Sequence, residues 1–354
     1  MRSTETAQAP APVLRRHRIP TAWLVMLLLA VLASGIAVAV ALGASDLRVS
    51  DVIAVIAARL RIGPPVAATT DFLVWDVRLP RALLAALVGA SLAVSGAALQ
   101  ALVGNPLADP YVLGVSSGAG LAAAASMLLG IAAGGFGLQV AAFIGACVAM
   151  VIVLVLATAG RASLTTARLL LSGVAVSYLF SGLTSYFVLT ADRPQAAQSV
   201  MFWLVGSLGA ADWPRLGLPA AALVVGTGWL LWRASAMDAL SQGEETAQIL
   251  GFSPRGLRIE LLTVASLTTG VSVAVSGGIG FVGLMLPHLV RLVRGPAHAG
   301  LLPLSLLAGA GFLVWCDILA RLVAAPAELP IGVVTSVIGA PVFAVLLVRS
   351  RRVG

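Results

Sequence analysis

The sequence predicts an all-α, polytopic membrane protein of about ten transmembrane helices, organised around an inverted internal repeat. Three observations predict it. Hydrophobic residues make up 60% of the 354 positions, charged residues 10%, and the mean hydropathy is +1.04. A water-soluble chain of this length needs far more charge to cover its surface. Apolar runs of nearly membrane-spanning length recur along the chain, separated by short breaks rich in glycine, proline and polar residues. Finally, the stretch GASLAVSG at 89–96 is echoed by GVSVAVSG at 270–277, and a proline follows each copy at one spacing, as Pro106 and Pro287.

Taken in order, residues 1–20 are polar and basic (Arg15, Arg16, Arg18) and read as a disordered cytoplasmic tail. The run 21–43 is long enough to cross a bilayer and longer than the core of a cleaved signal peptide, so a retained helix is expected. Within the polar stretch 44–80, Ser50 and Asp51 are placed to cap a short amphipathic helix. Further spans are expected near 82–103, 112–130, 139–159, 165–189, 213–232, 259–280, 281–294, 301–323 and 331–348. Asn105-Pro106 to Asp109-Pro110 breaks the first of these from the second, because two prolines cannot sit inside a regular helix there.

An even number of crossings puts both ends on one side. The tails carry Arg15, Arg16, Arg18 and Arg349, Arg351, Arg352, which makes that side cytoplasmic, and this threading leaves 14 arginines inside against eight outside. Under it the two GxSxAVSG copies run in opposite directions, as in the inverted repeats of many transporters. Small residues recur every fourth position at Gly173, Ser177, Ser181 and Ser185, a spacing that serves close helix packing or a hydroxyl-lined pathway. Residues 234–258 are too polar for lipid. Ser241 and Glu244 have capping-box spacing, Gly251 is placed to end a short cytoplasmic helix, and Ser253-Pro254 to begin the next span.

The chemistry is mostly defined by exclusion. All 22 basic residues are arginine, so neither a Walker A lysine nor a Schiff-base lysine exists, and any ATP must be bound by another chain. Cys147 and Cys316 lie apart in apolar runs, and His17, His288 and His298 show no ligand spacing, so no metal site is expected. The arginines flank apolar runs rather than forming a stripe, which argues against nucleic acid.

Several blocks carry a resemblance. They are RLPR at 78–81, GASLAVSGAALQALVGNPLADPYVLGVSSGAG at 89–120, LTTARLLLSGVAVS at 164–177, GEETAQILG at 243–251, GFVGLMLPHLVRLVRG at 280–295 and DILARLVAAPAELPIGVVTSVIGAPVF at 317–343. In these the chain resembles the FecCD-type permease subunits of type II ABC importers, which take up siderophore-bound iron, haem and cobalamin. The resemblance implies a permease domain over 21–349, a short cytoplasmic tail at 350–354 and a homodimer with its pathway on the two-fold axis. It also implies two cytoplasmic ATPase subunits carrying ATP and Mg, a periplasmic binding protein, and no cofactor or enzymatic activity on this chain, all in the bacterial inner membrane. Cytoplasmic coupling helices fall at about 238–258, with Ser241, Glu244, Glu245, Gln248, Leu250, Gly251 and Arg255 at the ATPase contact. Arg78, Arg81 and Arg321 would receive glutamates of the binding protein, unless they cap helix ends or pair with Asp76 and Asp317. Asn105, Leu107, Thr165 and Thr166 would form the gate, with Gly173, Ser177 and Ser181 along the pathway, and His288 would hydrogen-bond at a helix end. An ion-gradient transporter is the alternative, and Asp317 would be its main intramembrane acid.

Overall fold

The computed structural model describes residues 20–42, 48–131, 136–159 and 165–350. Apart from Pro20 and Ser350, the two expected tails lie outside these. Among the described residues every regular element is a helix, in the order α1 (Thr21–Ala41), α2 (Val49–Arg59), α3 (Ala68–Asp71), α4 (Leu79–Val103), α5 (Val115–Leu129), α6 (Gly137–Thr158), α7 (Thr166–Leu189), α8 (Pro194–Val205), α9 (Gly217–Trp232), α10 (Ala234–Ser241), α11 (Glu244–Ile249), α12 (Pro254–Ser276), α13 (Val282–Arg294), α14 (His298–Leu322) and α15 (Ile331–Ser350).

A helix stands at each of the ten expected spans. Seven stretches among the described residues are long and apolar enough to cross a membrane, namely Thr21–Ala41, Ala68–Val103, Gly137–Thr158, Thr166–Leu189, Trp213–Trp232, Pro254–Ser276 and His298–Leu322. Length and composition alone therefore support seven crossings. Of the other three, α5 has 15 residues and α13 has 13, and 13 residues of helix reach only about 20 Å. The apolar part of α15 is Ile331–Leu346.

At the centre is α4, buried along almost its whole length and packed by α14, α12, α13 and α9. Its small residues make this possible. Gly89 faces Gly309 of α14, and a Cβ on either would overlap the other's carbonyl oxygen. A Cβ on Gly96 would likewise overlap the carbonyl oxygen of Gly283 in α13, whereas one on Gly283 would meet the Leu92 carbonyl oxygen and Pro110. In lipid, where apolar burial gives helices no reason to associate, such close backbone approach is a main source of cohesion. On the rim, α1, α6 and α9 present large apolar side chains outward, among them Trp23, Met26, Val148, Val151, Val224 and Trp232. That is the inverse of a water-soluble surface.

Three local expectations are corrected. The short amphipathic helix begins at Val49, with Asp51 in its first turn accepting from the Arg48 N–H at 2.8 Å, so Ser50 is no cap. Ser241 ends α10, its hydroxyl donating to the Met237 carbonyl at 2.9 Å, and Gly243 at φ 120° opens α11, so the capping box does not form. His288 lies mid-helix in α13, where its Nδ1 finds no partner. The two copies of the repeat also end differently. Gly96 continues a helix whereas Gly277, at φ 70°, stops one, and Pro106 sits in a turn whereas Pro287 lies inside α13.

Candidate transport pathway and its two working faces

The break after α4 is built from local hydrogen bonds. Gly104 turns the chain at φ 67°, Asn105 Oδ1 accepts from the Leu107 N–H at 2.9 Å, and Asp109 Oδ1 accepts from Tyr111 N–H at 2.8 Å. Burial raises the Asp109 carboxyl's pKa, and the Tyr111 N–H holds it down in part. Asn105 is exposed and Leu107 half-buried. Thr165 caps α7 by accepting from Arg168 N–H, and Thr166 opens the helix. The tyrosine hydroxyl of Tyr111 accepts from Ile279 N–H at 2.8 Å and donates to the Ile279 carbonyl at 3.0 Å, fastening this turn to the reversal between α12 and α13.

Beside the turn runs α7. Gly173 packs its backbone on the Val112 carbonyl, whereas Ser177 is half-buried and Ser181 exposed. The stripe of small residues thus starts as a packing contact and opens outward. An open cavity of about 410 Å³ lies there, lined by Asp109, Tyr111, Ser177, Tyr178 and Phe281. Phe281 holds φ 69°, rare for a side-chain-bearing residue.

The polar insert 234–258 folds into α10 and α11. All seven residues expected at an ATPase contact (Ser241, Glu244, Glu245, Gln248, Leu250, Gly251, Arg255) are exposed, as is Ile249, which the sequence reading missed. Buried Ala247 seats α11 from below. Two ion pairs and one hydrogen-bonded clamp hold the insert and its flanks in place. Arg258 of α12 donates to Glu244 at 2.6 Å, and Arg233 holds Glu260 through two bonds of 2.8 and 2.9 Å. Asp238 of α10 accepts from both the backbone N–H and Nδ1 of His298, at 2.9 and 2.6 Å. Below them is a cavity of about 560 Å³ lined by Gln100, Asp238, Ser241, Arg291 and His298. Gln100 donates to the Gly283 and Leu284 carbonyls and accepts from Arg291 at 2.8 Å. Its position follows from Pro287, which has no N–H to give the Gly283 carbonyl one turn back.

The three arginines expected on the outer side lie close together around the end of α1 and Asp317. Arg78 is 6% exposed and donates to the carbonyls of Val40 and Ala41 at the end of α1. Arg321 caps the same end through Ala39 and Leu42. Asp317, 1% exposed, lies between them: Arg81 Nε donates to its Oδ1 at 3.0 Å, and Arg321 Nε stands 3.1 Å from its Oδ2. Arg81 also reaches Glu328 at 2.8 Å, and half of the Glu328 side chain is exposed. The alternatives of helix capping and of pairing with Asp317 are thus both realised, in part by the same side chain. Asp76 takes no part in the described ion pairs, and Glu328, which the sequence did not single out, takes the outermost place.

Comparison with known proteins identifies the family. Residues 23–349 match the model of the FecCD transport family. Over 297 residues the chain is 45% identical to the cobalamin import system permease protein BtuC of Halobacterium salinarum, covering 84% of this chain and 78% of that one. It is 43% identical over 286 residues to the uncharacterized ABC transporter permease YvrB of Bacillus subtilis, covering 80% of each. A solved inward-facing conformation of a metal-chelate type ABC transporter superposes with a TM-score of 0.80 at 30% identity, covering 93% of this chain and 99% of that one. PsaBC of Streptococcus pneumoniae, with a TM-score of 0.52 at 16% identity, shares the fold. The chain belongs to the FecCD transport family and is a multi-pass membrane permease of the ABC importer type.

Proposed function

We propose that the chain is one half of a two-fold conduit that passes a bulky metal chelate from a periplasmic binding protein into the cytoplasm. Two cytoplasmic ATPase subunits dock on the exposed face of α10, α11 and the start of α12, and both chain ends lie on that side. The observation that carries this is the polar insert itself. It is exposed on its outer surface, paired to the start of α12 through Glu244 and Arg258, and hydrogen-bonded to α14 through Asp238 and His298. A chain without a single lysine cannot hold its own Walker A phosphate, so the energy enters across that surface. Asp317, the acid an ion-coupled carrier would need, is held by two arginines, which supports an ATP-driven mechanism over a gradient-driven one.

Cargo is assigned by class. The relatives named for cobalamin and for metal chelates support a large, rigid chelate, with cobalamin tested first. Proteoliposomes whose permease faces its ATPase into an ATP-loaded lumen, with the binding protein outside, should accumulate radiolabelled cyanocobalamin, haemin or a ferric siderophore only when ATP is enclosed, whatever ionophore is present. Uptake by the lone chain along a proton gradient would end the proposal. The pathway is assigned to the Asn105–Leu107 turn, Thr165, Thr166, Gly173, Ser177 and Ser181.

On the outer side the docking role falls chiefly to Arg81, because Arg78 and Arg321 hold carbonyls of α1. Glu328 occupies Arg81 and is itself half-exposed, so an incoming carboxylate must displace it. Glu328→Gln should therefore tighten binding-protein affinity about two- to fivefold, the value of one partly exposed ion pair, measured by biolayer interferometry on nanodiscs. Unchanged or weaker binding would remove Arg81 from the docking face. Such charge contacts chiefly steer and register the partner.

A further inference from the structure

Among the described residues α14 alone is held at both ends by a carboxylate from the ion-pair networks of the two opposite faces. At its first residue, the His298 backbone N–H and ring Nδ1 converge on the single oxygen Oδ1 of Asp238, which belongs to α10. The residue before it, Ala297, has no side chain able to cap, so a carboxylate from another helix supplies the acceptor that the first turn lacks. Near its last turn, Asp317 of α14 joins Arg81 of α4 and Arg321 in the outer network. His298 and Asp317 both belong to one continuous helix of 25 residues, buried along the side facing α4.

We propose that Asp238 is the positioning residue that hands movement of the ATPase-docking insert to α14, and through α14 to the outer arginines. The inference rests on the function proposed above. Of the three contacts, Arg233–Glu260 joins the end of α9 to α12, and Arg258–Glu244 joins α11 to the start of α12 within the insert itself. The Asp238–His298 clamp is the one that reaches α14. His298 is 2% exposed and its Nδ1 and backbone N–H have no other described acceptor, so α10 cannot shift without either carrying α14 or breaking two hydrogen bonds to a buried residue. Leaving those buried donors unmade is costly, which favours the helix following the insert. The clamp therefore behaves as a rigid joint rather than as a surface ion pair.

The test reads the far end of α14. Spin labels are placed at Val323, just beyond α14, and at Leu189, the exposed end of α7, in a background with Cys147 and Cys316 changed to alanine. The permease is studied in nanodiscs with its ATPase, and the 189–323 distance distribution is recorded with and without ATP and vanadate. The unsubstituted Asp238 should give a nucleotide-driven shift. In D238A the shift should be lost while ATP hydrolysis by the bound partner persists, and in D238N it should return, because the amide oxygen can accept both His298 bonds. A shift in D238A equal to that of the parent, no shift in the parent, or failure of D238A to bind or activate the ATPase would each overturn the proposal. The last outcome would place Asp238 on the docking surface instead. Failure of the broader function would look different, as a parent chain that neither binds an ATPase nor takes up any chelate.

Discussion

Changing Asp317 to alanine should cost about 3–5 kcal/mol of stability, the usual result of removing one partner of a buried ion pair. The carboxylate is 1% exposed and stands between two guanidiniums, Arg81 at 2.9–3.0 Å and Arg321 at 3.1 Å. Without it Arg81 keeps only half-exposed Glu328, and Arg321 keeps only the carbonyls of Ala39 and Leu42, which carry no full charge. Two positive charges would then face each other in a site that water reaches poorly. Because Arg321 also caps α1, the damage should spread to that helix. Asp317→Asn should be milder, since the amide still accepts hydrogen bonds. Detergent-extracted protein can be followed by size exclusion and thermal melting. A melting temperature for D317A equal to that of the parent would show that the arginines are satisfied without the carboxylate.

Gly96→Ala should destabilise the bundle by about 1–3 kcal/mol, the cost of forcing one extra methyl into a packed contact. The new Cβ would lie 2.6 Å from the Gly283 Cα and overlap its carbonyl oxygen, so the neighbour that must yield is backbone, not a mobile side chain. The α4–α13 distance would have to grow, and with it the Gln100 bonds to Gly283 and Leu284 would stretch. A matched control is Gly182→Ala on α7, where the methyl would meet nothing within 4 Å. It should leave stability within about 0.5 kcal/mol or raise it slightly, as Ala is the better helix former. Equal melting of the two variants would mean that the α4–α13 contact is looser than described.

The helices were legible because an apolar run of bilayer length has one common fate, and the break after α4 was legible at Asn105-Pro106 and Asp109-Pro110. The outer arginines also stood out, as charges inside apolar sequence that demand a reason. What the sequence concealed were partners. Arg81 and Glu328 are 247 positions apart, Asp238 and His298 are 60 apart, and Gln100 reaches a carbonyl 183 positions away. Nothing local distinguishes Glu328 from a solvated loop acid. Gln100 carried a usable signal, an amide in an otherwise apolar helix, but its purpose depends on Pro287 of α13. The misplaced cap at Ser241 has a similar origin: capping-box spacing is satisfied equally well by a serine that ends the preceding helix.

The Gly89–Gly309 crossing has a mechanical consequence. Gly309 lies near the middle of α14, and Gly89 lies well inside α4. With no side chain on either glycine, the separation of the two axes there is fixed by backbone contact, with Leu313 and Ala93 packed directly beside it. On the coupling proposed above, this crossing is the point about which α14, about 37 Å long, would turn, so a small swing at the His298 end would become an opposite swing at Asp317.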